Sequence, residues 1–237
     1  SGRLEAYATT DTSGRFEMNA IPVGAFDVEA VDPASARRGR ASAHLTQRED
    51  DTPMIPGREA LRRLREGNAR FASNVRGPDT IVSHTRRPEL PSEQEPMAII
   101  FGCSDARVPA ELVFDQGLGD LFVIRVAGNI VAPSLVGSVA SAAAKFGTRL
   151  VVVLGHSRCG AVTATLEELR RPTENQSRNL QSIVDRIRPS VEGLLATDLR
   201  DDTDALIEEA VRRNIRASAD ELRHGSEVLE QLIREEG

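Results

Sequence analysis

The sequence predicts an α/β domain: a mainly parallel sheet flanked by helices. Three observations carry that expectation. The uncharged runs Met97-Ala-Ile-Ile-Phe101 and Leu150-Val-Val-Val-Leu154 have the length of buried strands rather than of helices. Segments of helical period separate and follow the strand-like runs, and such alternation marks a parallel sheet. Both runs end at a glycine followed at once by Cys, His and Asp, and ligands of open parallel sheets gather at the carboxyl ends of the strands.

Residues 1–48 read differently from the rest. Thr10-Asp-Thr-Ser-Gly14 is a turn cluster before the alternating Arg15-Phe-Glu-Met18. Ile21-Pro-Val-Gly24 is a second turn, before the alternating Ala25-Phe-Asp-Val-Glu-Ala-Val31. Period-two alternation between Gly and Pro turns predicts half-buried antiparallel strands. The Asp-x-x-Gly-x-Phe and x-x-Pro-x-Gly turns resemble the second half of a carboxypeptidase regulatory-like β-sandwich, so we expect a partial β-rich segment here. The chain opens on Ser1 and carries no signal-like pattern, which reads as a piece of a longer chain. Residues 49–55, charged and Pro-containing, are expected to link this segment to a domain over 56–237.

In that domain Leu61, Leu64 and Phe71 fall roughly on one face of a helix starting near Pro56. Residues 73–95 read as an extended connection. Four strand–helix alternations are expected beyond it, with strands near 97–101, 121–125 and 150–154 and helices near 109–114, 134–145 and 159–170. Residues 178–192, 203–223 and 225–235 are helical in pattern.

Composition narrows function. Of 237 residues, 40% are hydrophobic and 28% charged, as in an ordinary globular protein. The net charge is −6 without a long basic run, which argues against nucleic acid as a partner. No apolar run approaches the ~20 residues a membrane helix needs. Localisation stays open.

The two cysteines, Cys103 and Cys159, both lie in the glycine-bounded stretches, Cys103-Ser-Asp105-Ala-Arg107 and His156-Ser-Arg-Cys159. Zinc takes thiolate, imidazole and carboxylate, and its ligands tend to arrive in pairs from short turns. Cys103-x-Asp105 and His156-x-x-Cys159 are two such pairs. A Cys103–Cys159 disulfide is the alternative, but it leaves Asp105, Arg107 and His156 unexplained. His44, His84 and His224 read as solvated. Asp105 and Arg107 alternate in an extended segment, so they can pair, and an Arg partner keeps the carboxylate ionised. Asp105 could then ligate zinc, closing the site, or accept a hydrogen bond from a water on an open zinc. The pair could also be an ion pair that only shapes the loop.

Cys103-Ser-Asp-Ala-Arg-Val-Pro109, Phe114-Asp-Gln-Gly-Leu-Gly-Asp-Leu-Phe-Val-Ile-Arg-Val-Ala-Gly-Asn129 and Gly155-His-Ser-Arg-Cys-Gly-Ala-Val162 closely resemble the β-class carbonic anhydrases, as do Glu66-Gly-Asn68 and Arg70-Phe71. The resemblance implies Zn2+ held by Cys103, His156 and Cys159, and reversible hydration of carbon dioxide to bicarbonate. Asp105 and Arg107 become the catalytic dyad, with Asp105 a fourth ligand in the closed state of some members. Gln116 matches a position that faces substrate, and the site is expected at the interface of a homodimer or higher homo-oligomer. Ile100 stands where bicarbonate-regulated members carry Trp. Gly137-Ser-Val-Ala-Ser141 replaces Gly-Ser-Ile-Glu-Tyr, so altered packing is expected there. The chain ends where the family adds its last strand, which predicts an unpaired sheet edge. Other functions open at this point are a zinc-holding scaffold or bicarbonate sensor, and carbon disulfide hydrolysis on the same metal. A redox dithiol fits poorly, since the cysteines follow separate strands.

Overall fold

The computed structural model describes residues 55–75, 94–172 and 177–236 and, before them, the backbone of five short strands. These are β1 (Tyr7–Thr10), β2 (Phe16–Met18), β3 (Ile21–Pro22), β4 (Val28–Glu29) and β5 (Ser42–Ala43). The turn residues 11–14 and 23–24, residues 49–54 of the linker, most of the 73–95 connection, and His44 and His84 lie outside the described residues.

Three parallel strands organise the domain: β6 (Ala98–Gly102), β7 (Leu121–Arg125) and β8 (Leu150–Leu154), with β6 in the middle. All five residues of β6 and of β8 are buried. Helices cover both faces of a parallel sheet, and its strands therefore read as unbroken apolar runs. Ile100, Val152 and Leu154 meet Leu61 and Leu64 of helix α1 (Gly57–Ala72) and Phe114, which follows the short helix α2 (Ala110–Val113). On the other face Ile99, Phe101, Val151 and Val153 pack beneath α3 (Pro133–Phe146), α4 (Gly160–Arg170), α5 (Arg178–Val191), α6 (Thr203–His224) and α7 (Glu227–Glu236). The 137–141 departure lies within α3, where Val139 is fully buried. Ile100, fully buried, is a core residue of the α1 face.

Some expectations need correction. Ile21-Pro22, expected to open a turn, is the strand β3, paired with β8. Among the described residues three strand–helix alternations follow α1, not four. After Leu154 no uncharged run of strand length recurs, and the chain continues as amphipathic helix. Phe71 is also not core, being 41% exposed, because the last turn of α1 packs under neither apolar cluster.

The edge of β8 turned away from β6 is not bare. β1 pairs with it in parallel, Tyr7 opposite Val153 and Ala8 opposite Leu154. β3 pairs with it antiparallel, Ile21 opposite Val151 and Pro22 opposite Leu150. β2 extends the sheet antiparallel to β1, while β4 and β5 form a separate two-stranded ribbon.

Candidate metal centre

Strand register creates the site. Gly102 lies level with Arg125 on one side and with Leu154 on the other. The residues just beyond these three strand ends therefore emerge at one place. They are Cys103, the Val126–Asn129 turn, and the loop from Gly155 to Cys159.

Of the four residues that spacing singles out, the structure groups three as possible metal donors. Donor atoms of Cys103, His156 and Cys159 all lie within 4.8 Å of one another, and all three residues are buried. Both cysteines are free, with their sulfurs 3.9 Å apart, which excludes the disulfide in this structure. Two thiolates on one tetrahedral zinc at the usual Zn–S length of ~2.3 Å stand about 3.8 Å apart, so the observed spacing fits a shared ion. His156 Nδ1 donates to the carbonyl of Ser157 at 3.0 Å. That bond fixes the tautomer and leaves Nε2 with a free lone pair. Nε2 is buried and has no hydrogen-bond partner. A buried polar atom without a partner is uncommon and needs a cause; a metal facing two thiols supplies one. These three residues could hold zinc.

The thiols are already polarised toward that task. Cys103 is drawn well below the ordinary thiol range, chiefly by the hydrogen bond from Cys159 and also by the amides of Asp105 and Gly128. Cys159 is pushed up by the Cys103 sulfur and by burial. Ligation needs both thiols deprotonated, so binding of a cation here would release protons.

Asp105 and Arg107 do pair. Arg107 Nε donates to Asp105 Oδ1 at 2.9 Å, Nη2 to Oδ2 at 2.7 Å, and the Arg107 amide to Oδ1 at 2.9 Å. This guanidinium holds the Asp105 carboxyl well below the usual carboxylate range, against a smaller push from burial. Asp105 Oδ2 stands 3.8 Å from His156 Nε2, beside the donor set. Arg107 Nη2 also donates to Arg158 O at 3.2 Å, tying the two ligand loops together. Gln116 is not brought into this group. Its Nε2 donates to Phe114 O within its own loop, at 2.7 Å. His224 ends α6, exposed, with Nδ1 3.4 Å from Glu230.

Sequence reasoning assigned no role to Arg125 or Gly128. Arg125 Nε donates to Cys103 O at 2.8 Å and Nη2 donates to Asp105 O, so this side chain holds the first ligand loop from below. Its signal was an arginine closing the otherwise apolar Leu121-Phe-Val-Ile-Arg125. The Gly128 amide donates to Cys103 Sγ at 3.3 Å.

The carbonic anhydrase family model matches residues 98–237, more than half of the chain. The chain belongs to the β-class carbonic anhydrase family. Carbonic anhydrase 2 of Mycobacterium tuberculosis is 44% identical over 133 residues, 56% of this chain and 63% of the relative. A carbonic anhydrase of Mycolicibacterium smegmatis matches to the same extent. The chain thus spans less than two thirds of the length of these relatives. Among solved structures, the β-carbonic anhydrase CcaA superposes with a TM-score of 0.57 at 25% identity, over 74% of this chain and 85% of its own. A Coccomyxa β-carbonic anhydrase, at 21% identity, shares the fold with a TM-score of 0.55 over 70% of this chain and 72% of its own. In this β-class carbonic anhydrase chain, the strand ends that converge all lie within the matched residues.

Proposed function

We propose that the chain catalyses reversible hydration of carbon dioxide to bicarbonate and a proton, with zinc held by Cys103, His156 and Cys159. One observation carries the reading: three buried donors within 4.8 Å of one another, beside a carboxylate pinned by arginine. The two mycobacterial relatives, named carbonic anhydrases, support it. Zinc, when bound, acidifies a coordinated water to a pKa near 7, so a nucleophile is available around neutral pH. Asp105, kept anionic, presents Oδ2 as a hydrogen-bond acceptor to the attacking water, and Arg107 fixes the position of that oxygen. Both carboxylate oxygens are engaged by Arg107, which favours Asp105 as acceptor over Asp105 as a fourth ligand. Carbon dioxide offers little to bind, so the protein contributes mainly placement and an approach screened from bulk water. The substrate-facing role of Gln116 rests on the resemblance; with Nε2 committed to Phe114 O, its amide oxygen is the group it offers.

We also infer a homodimer. Phe71, Leu112 and Leu118 are large apolar residues left exposed on segments joined by the Arg70–Asp115 ion pair, a surface suited to a second copy. Light scattering on the purified chain tests this.

The deciding experiment is stopped-flow hydration of carbon dioxide at mildly alkaline pH, normalised to zinc bound per chain. Turnover that scales with zinc supports the enzyme. Full zinc loading without turnover overturns it in favour of a zinc-holding scaffold or sensor.

A further inference from the structure

Cys103 owes part of its setting to a helix a hundred residues away. The Val126–Asn129 turn that presents the Gly128 amide is an uncommon one. Gly128 has φ 68° and the next residue, Asn129, has φ 42°. Two successive left-handed residues are costly for an L-chain, even with Gly and Asn as the best-suited residue types, and need outside support. Two polar side chains of α6 supply it. Asn214 Nδ2 donates to Gly128 O at 2.8 Å. Ser218 Oγ donates to Asn129 O at 2.9 Å and lies 3.3 Å from Asn129 Nδ2, which donates back to it. Asn129, Asn214 and Ser218 are all buried. Asn214 and Ser218 are four apart, so both lie on one face of the helix. The captured carbonyls hold the 128–129 and 129–130 peptide planes, and with the Gly128 dihedrals so confined the preceding 127–128 plane, which carries the Gly128 amide, is held in its aim at Cys103. There is little room for another arrangement: a Cβ on Gly128 would stand 2.8 Å from Ile187 Cδ1 and 3.0 Å from Ala161 Cβ.

We propose that Asn214 and Ser218 are positioning residues of the metal centre: through the 128–129 turn they aim the Gly128 amide at Cys103 Sγ and so set how firmly Cys103 holds zinc. The inference rests on the reading of Cys103 as a zinc ligand. Hydrogen bonds to ligand atoms orient the ligand and tune the metal, and their loss typically lowers metal affinity about 10–100-fold.

The test uses the full chain as wild type, Ser218→Ala, Asn214→Ala, the double variant and Leu222→Ala. Leu222 is a buried apolar residue of the same helix, one turn beyond Ser218, and serves as a control for lost packing. Zinc affinity is read by chelator competition, and the thiolate–metal bonds of Cys103 and Cys159 together by the thiolate-to-metal charge-transfer band of the cobalt form. The double variant is expected to lose affinity at least about tenfold, with a displaced charge-transfer band. Leu222→Ala is expected to lower the melting temperature and move neither readout. Unchanged affinity and band in the folded double variant overturn the proposal, as does equal loss in Leu222→Ala. Should the double variant fail to fold, Ser218→Ala decides, since it removes one hydroxyl; an unmoved band there overturns the proposal. A wild type that takes up neither zinc nor cobalt sinks the zinc reading itself, and this inference with it. A zinc-loaded wild type with insensitive variants removes this inference alone.

Discussion

Asp105 and Arg107 are separated by one residue, yet their pairing decides how the site behaves. Asp105→Asn keeps the shape of the side chain but loses its charge. We expect it to retain zinc, measured by mass spectrometry of bound metal, and to lose turnover by about 10²–10⁴-fold. Cys159→Ser should lose zinc and turnover together. Equal zinc loss in both variants would make Asp105 a ligand instead. The pair also leaves a mark on stability. Because the folded carboxyl titrates below its ordinary value of about 3.9, its contribution is complete above that pH and is lost as pH falls toward the depressed value. Arg107→Ala removes the largest source of the difference between folded and unfolded states, leaving the backbone amide bond to Asp105 in place. Urea midpoints followed from neutral pH to about pH 2 should show a shallower acid limb in the variant. Of the residues involved, the donor set was readable in the sequence because two scarce cysteines both sat in short motifs. Arg125 and Gly128 were not, because what they touch depends on the register of β6 against β7.

At the level of elements, α1 and α6 reach the site by different means. α1 has no side chain at position 67, where a Cβ would stand 1.7 Å from Phe114 O. Ala is the better helix former, but here it must push the helix away from the loop that carries Gln116. Gly67→Ala is therefore expected to destabilise the chain by roughly 1–3 kcal/mol, seen as a lower urea midpoint at unchanged slope. α6 starts at an Asp202 side chain that accepts from the Ala205 amide at 3.1 Å. Asp202→Ala should cost about 1 kcal/mol by the same measurement. The helices were legible from their 3.6-residue period almost to their ends. The exposure of Phe71 was not, since a period identifies a face without saying what covers it. β1 and β3 were equally hidden: Tyr7–Thr10 lies outside the alternating runs, Ile21-Pro22 reads as the start of a turn, and no local pattern names a distant partner.

For the molecule as a whole, Cys103 and the His156–Cys159 pair lie far apart in the chain and are joined only through the fold. A metal bound there favours the folded state over the unfolded one by mass action, about 2.7 kcal/mol when free zinc is a hundredfold above its dissociation constant. Adding a strong chelator should lower the melting temperature by roughly 5–10 °C, and re-supplied zinc should restore it. A transition indifferent to chelator would mean that the donors do not share an ion.

The two strands that deliver the ligands are buried along their whole length. Before they are covered, Ala98–Phe101 and Leu150–Leu154 are uncharged, Pro-free stretches rich in Val and Ile, the composition that stacks into intermolecular sheets. Pro96 stands two residues before the first and Arg149 directly before the second, as charged or ring-bearing residues often do beside such stretches. A site built on the ends of wholly buried parallel strands thus makes the chain most prone to aggregation in the interval before its helices close over the sheet.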